Sequence, residues 1–243
     1  MSDKSIQPAD SKDSVGYLEE TLQALIETLT GLAASEKKDW AFSIGYLLQR
    51  VRGGHFLKEL LAEIKRYRDK GKIKPDYFSS EQSMSCLQEF MDFVDKDAPD
   101  DRRFQALKGL FLTIATEKFS NKEEILPLQL MKISRALSAS ELILLAATYE
   151  IYLGDEWKKE RDERKGRGNS IGPTRTWETL VLEKSGLKFR ELVKLNEESL
   201  MSKKLLAGYA HPDGSGFNYT EYYRLTPLGY HLCLFISDYE ASP

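Results

Sequence analysis

Cysteine is scarce: two in 243 residues, Cys86 and Cys233, far apart and each in an apolar stretch. A disulfide framework and a thiolate metal site both need closely spaced or paired cysteines, so two buried free thiols in a reducing compartment are expected instead. Histidine is also rare, and neither His211 nor His231 belongs to a Cys/His/Asp/Glu cluster with ligand spacing; no metal is expected. The longest apolar runs, such as Leu142–Ala147, are far too short to span a bilayer, and no signal sequence precedes them. A cytoplasmic protein with no membrane partner follows as the expectation. There is no excess of positive charge either: 35 basic and 38 acidic side chains leave a net charge of −3, so any polyanion must be held by a local patch. Finally, the chain has no glycine-rich phosphate loop, nucleophile elbow or cysteine pair. Common nucleotide-dependent and hydrolytic enzymes are thereby disfavoured, and no cofactor is expected.

What is present is helical periodicity over a composition 41% apolar, enough for one large core or two modest ones. Residues 1–13 are polar and aperiodic and read as a disordered tail. Residues 14–133 read as a helical bundle. Apolar stripes recur at helical spacing through Leu18–Leu29, Trp40–Leu48, Leu57–Tyr67, Met84–Val94, Phe104–Ile114 and the segment Glu123–Leu137. Gly53-Gly54 is expected to break the second of these from the third, and Ser79–Gln82 resembles a helix start.

Residues 134–239 carry a different pattern. Ser138–Glu141 spells a capped helix start, followed by a helix to Leu153, a short helix through Trp177, Leu180 and Val181, and a turn at Ser185-Gly186. A longer helix over Lys188–Lys204 then presents Phe189, Leu192, Val193, Leu200 and Leu205 as its apolar face. Two strand-like runs, Leu206–His211 and Phe217–Thr226, flank the turn residues Pro212–Gly216. Alternation along the second run puts Phe217, Tyr219, Tyr223 and Leu225 on the inward face and Tyr222, Arg224 and Thr226 on the outer one. Thr226 is placed to N-cap a closing helix with Pro227 at its first position. The fold class expected is mainly α: an N-terminal helical bundle followed by a winged-helix domain with one β-hairpin wing.

This C-terminal pattern, ending in RLTPLGYHLCLFI, resembles the wing end of winged helix-turn-helix proteins. That resemblance implies that the third helix enters the major groove of duplex DNA while the wing contacts phosphate. DDRRFQALKGLFLTIA, LPLQLMKISRALSASELILLAATYEIY and RLTPLG are together similar to the Abi-alpha family of bacterial proteins, some linked to abortive infection. A regulatory or phage-defence role is what that similarity implies, with no catalytic residue carried over.

The nucleic-acid contacts expected on this reading are Lys188, Arg190, Lys194 and Asn196 on the third helix, Arg224 on the wing, and Arg164, Lys165, Arg167 and Arg175 in an acid-free loop. Glu191, Glu197 and Glu198 oppose the helix positives, and residues 134–243 sum to −1, with 15 basic and 16 acidic side chains. A protein-interaction or dimerisation scaffold is therefore the alternative, with a protein partner or a homo-oligomer in place of DNA. A third reading is a helical ribonuclease of HEPN type. It rests on Arg50 and His55, whose spacing resembles that family's short motif, in which His moves a proton and Arg steadies a phosphate.

Overall fold

The computed structural model describes residues 51–74, 76–97, 99–116, 125–154, 177–208 and 221–237. They hold eight α-helices: α1 (Val51–Asp69), α2 (Glu81–Lys96), α3 (Asp101–Thr116), α4 (Ile125–Arg135), α5 (Ala139–Leu153), α6 (Trp177–Ser185), α7 (Arg190–Ser202) and α8 (Pro227–Ser237). Among the described residues β-structure is limited to isolated bridges, Leu206 with Leu225 and Tyr222 with Leu225. The described residues are mainly helical, and no single described helix is long and apolar enough to cross a membrane. The expected tail and first two helices, the basic loop and the wing tip lie outside the described residues.

Two compact units form: Met1–Pro99 with Ile114–Leu128, and Asp100–Thr113 with Gln129–Pro243. In the first, α1 runs unbroken through Gly53-Gly54, against the expectation of a break there. Each interior glycine costs about 1 kcal/mol of helix propensity, but Phe56, Leu57, Leu60 and Ile64 are all buried on one stripe and offset it. The helix ends in a Schellman motif, with Lys72 N–H donating to Tyr67 O at 2.9 Å, Gly71 N–H donating to Arg68 O at 2.8 Å, and Gly71 at φ 68°. Glycine suits that left-handed position because it has no Cβ to clash. Ser80 caps α2, its Oγ accepting from Ser83 N–H at 3.2 Å, as the Ser79–Gln82 pattern anticipates. Cys86, on the buried face of α2, is fully enclosed.

The second unit is organised on α5, against which α6, α7 and α8 all pack. Ser138 and Glu141 form the expected capping box: Ser138 Oγ accepts from Glu141 N–H at 3.2 Å, and Ser138 N–H donates to Glu141 Oε2 at 2.7 Å. The boundary at 133/134 read from the sequence is not where the contacts fall, because Asp100–Thr113 belongs with this unit. Two ties explain the assignment. Arg103 donates to the carbonyls of Leu137 and Arg135, both at 2.9 Å, capping the end of α4. Thr113 Oγ1 donates to Phe235 O at 2.8 Å.

From α7 the chain turns by a second Schellman motif. Leu205 N–H donates to Leu200 O at 2.9 Å and Lys204 N–H to Met201 O at 3.0 Å, with Lys204 in the left-handed position at φ 61°. The turn delivers Leu205 and Leu206 antiparallel to Arg224–Thr226, joined by Ala207 N–H to Arg224 O at 2.8 Å and Thr226 N–H to Leu205 O at 3.1 Å. Thr226 then caps α8 as anticipated, its Oγ1 accepting from Gly229 N–H at 3.0 Å. Gly229 packs directly on the backbone: a Cβ there would stand 2.1 Å from Leu205 O.

Candidate functional site

The helix expected to meet a partner, α7, buries two polar side chains and leaves apolar ones in water, beside its exposed Arg190, Glu191, Lys194 and Glu198. Asn196 and Glu197 are buried on its inner side beside Val193 and Leu200, while Phe189, Leu192 and Leu195 are 64%, 42% and 63% exposed. Only Leu153 joins them among the described large apolar side chains left in water, so the exposed apolar surface is concentrated on this one helix.

The inner polar groups are held by named partners. Asn196 Oδ1 accepts from Ser140 Oγ at 2.9 Å, and its Nδ2 donates to Leu192 O at 2.8 Å. Glu197 meets Arg224 at 2.7 Å between Oε1 and Nη1. Arg224 is wholly buried; its guanidinium lies 4.1 Å from the Trp177 ring centre and donates through Nη2 to Ala207 O at 2.8 Å. One side chain thus joins α6, α7 and the segment after α7. Trp177 in turn donates from Nε1 to Thr148 Oγ1 at 3.2 Å, which donates to Leu144 O at 2.9 Å and fixes α6 on α5.

Two expected nucleic-acid contacts are therefore corrected. Asn196 and Arg224 are interior links with no surface to offer a groove. For Arg224 the physical reason is local. Tyr223 has φ 64°, and Leu225 N–H donates to Tyr222 O at 3.2 Å, so the chain makes a tight turn where an extended strand was expected. Alternation lapses, and Tyr223, Arg224 and Leu225 are all buried in succession. Tyr222 stays half-buried and stacks on Tyr230, with ring centres 4.1 Å apart at 9°. Phe189 and Leu192, expected in the apolar core face, are corrected in the other direction.

Lys188, Arg190 and Lys194 are exposed, as a surface role requires, with Arg190 Nε at 4.0 Å from Glu178 Oε1. Lys203 turns back instead, donating to Glu141 Oε1 at 2.6 Å and Ser199 Oγ at 2.7 Å. Burial of the Glu141 carboxyl pushes its pKa up, but the bonds from Lys203, the Ser138 backbone and the Ser199 and Ser138 hydroxyls outweigh this and hold it below the usual carboxylate value. Arg164, Lys165, Arg167 and Arg175 lie outside the described residues.

Of the ribonuclease pair only His55 is among the described residues. Arg50 lies outside the described residues, and His55 is an exposed residue on α1 whose ring tilts against Phe56 at 5.8 Å. Among the described residues no group of three or more His, Cys, Asp or Glu stands where it could hold a metal. No known protein family, curated protein or solved structure matches the chain.

The apolar outer face of α7 had a signal in the sequence. Val193, Asn196, Glu197 and Leu200 share the i, i+3, i+4, i+7 line, and Leu192 and Leu195 fall off it. Leu192 and Leu195 are thus two of the five apolar positions in α7 that its buried stripe does not take up.

Proposed function

We propose that this chain is a non-enzymatic protein-interaction module whose C-terminal unit is a winged helix that docks through α7. The observation that carries the reading is the exposed apolar face of Phe189, Leu192 and Leu195 at α7, whose Asn196 and Glu197 are buried instead. Full burial of such a side chain contributes about 1.5–3 kcal/mol, so a protein groove gains from this face where a phosphate backbone would not. The winged-helix assignment is supported by the order of α5, α6 and α7, the Leu206–Leu225 bridge and the Thr226-capped α8. The defence role rests on the Abi-alpha resemblance alone.

Duplex DNA is the second reading, favoured by Lys188, Arg190 and Lys194 exposed at the start of α7. One comparison separates the two. Wild type and Leu192→Glu/Leu195→Glu, matched for fold by circular dichroism, are used to capture partners from the source cells. The captured protein is identified by mass spectrometry and rebound in purified form. The docking reading expects rebinding to wild type only. It is overturned if both proteins bind alike, or if generic duplex DNA binds in low salt and is lost in Lys188→Gln/Lys194→Gln.

A further inference from the structure

We infer that the partner seated on α7 is a second copy of this chain, paired antiparallel through α7 itself; the inference rests on the docking reading above. The argument is charge complementarity. At 3.6 residues per turn, Glu191, Lys194 and Glu198 line one flank of the exposed Leu192–Leu195 stripe, and Lys188 stands just before the N-cap Phe189. All four are exposed, and none has an ion-pair partner among the described residues. Unpaired charges bordering an exposed apolar stripe are the makings of an interface rim.

Their order along the helix selects the partner. A two-fold contact sets residue i against j and j against i. With the helices parallel, Glu191 would meet Glu191 and Lys194 would meet Lys194, which repels. Reversing one helix about the midpoint of Leu192 and Val193 sets Glu191 against Lys194 of the second copy and Lys194 against its Glu191. Leu192 then faces its own copy at the axis, and Leu195 reaches Phe189 of the second copy. A single register sets Glu191 against Lys194 twice and covers the apolar stripe, and that coincidence distinguishes a self-complementary face from a merely sticky one.

Sedimentation equilibrium on the full chain over a wide concentration range tests the pairing, with wild type, Glu191→Lys, Lys194→Glu and the double exchange Glu191→Lys/Lys194→Glu. Wild type is expected to dimerise. Each single exchange sets like charges together twice and should weaken the dimer on the order of tenfold, while the double exchange restores it. These side chains are exposed, so unchanged circular dichroism separates lost pairing from lost folding. A wild type that stays monomeric, or single exchanges that leave the dimer intact, overturns the self-pairing. If wild type is monomeric yet rebinds a captured protein through Leu192 and Leu195, the self-pairing falls and the docking face stands.

Discussion

Replacing Arg224 by Met should be among the most damaging single changes in the second unit, and replacing Glu197 as well should undo part of the damage. Arg224 is fully enclosed and meets Glu197 at 2.7 Å. Removing it leaves a buried carboxylate without its counter-charge, a loss of about 3–5 kcal/mol by analogy with other broken buried pairs. The stack on Trp177 and the bond to Ala207 O disappear with it. Met fills much of the space the stem occupied, so the loss is mainly electrostatic. In Arg224→Met/Glu197→Leu no charge remains to be desolvated. Well-packed apolar replacements of buried pairs are often neutral or better, so the double variant should be more stable than Arg224→Met by about 2–3 kcal/mol. Urea unfolding of the four proteins followed by circular dichroism gives the cycle, read from shifts in midpoint at constant slope. Costs of the two single changes that simply add in the double variant would refute the reasoning.

Three further outcomes follow from local geometry. Gly229→Ala drives a methyl to 2.1 Å from the Leu205 carbonyl, and should lower stability by about 1–3 kcal/mol or more in the same denaturation assay, because backbone cannot step aside as a side chain can. Glu141→Gln should destabilise near neutral pH and lose its effect in acid. The folded carboxyl is held below its ordinary value, so its stabilisation is present above the unfolded pKa and vanishes as pH falls through the folded one; stability measured from pH 7 down to 3 for both proteins should converge at the acid end. Cys86 and Cys233 should resist a thiol reagent at pH 8 in the native protein and react on denaturation, since burial pushes Cys86 up to about 12 and Cys233 higher still.

Helix existence and most caps were legible in the sequence because their causes are local. Ser80, Ser138 and Thr226 cap the helices they were expected to cap, each by a bond to a residue three positions on. The face assignments failed where a distant partner decides. Nothing within a few residues of Asn196 or Glu197 announces that Ser140 and Arg224 wait inside the fold. Alternation places Arg224 outward because it assumes an extended chain, whereas Tyr223 takes a left-handed conformation that a tyrosine rarely adopts. Lys204 hides a Schellman turn for the same reason. The sequence signal for that motif is glycine, present as Gly71 after α1 and absent after α7. The continuity of α1 through two glycines is likewise a packing outcome that propensity cannot foresee.

The bond from Thr113 to Phe235 spans 122 residues, and this has a consequence for how the protein is made. The helix carrying Thr113 leaves the ribosome long before the carbonyl that receives its hydroxyl has been synthesised. At roughly 5–20 residues per second, the delay is on the order of ten seconds. Through that interval α3 lacks the last helix of its unit, while the chain between them emerges in order. A chain truncated before α8 would never supply the acceptor. The second unit is therefore assembled from both sides of its own sequence, and it is complete only once α8 has been made.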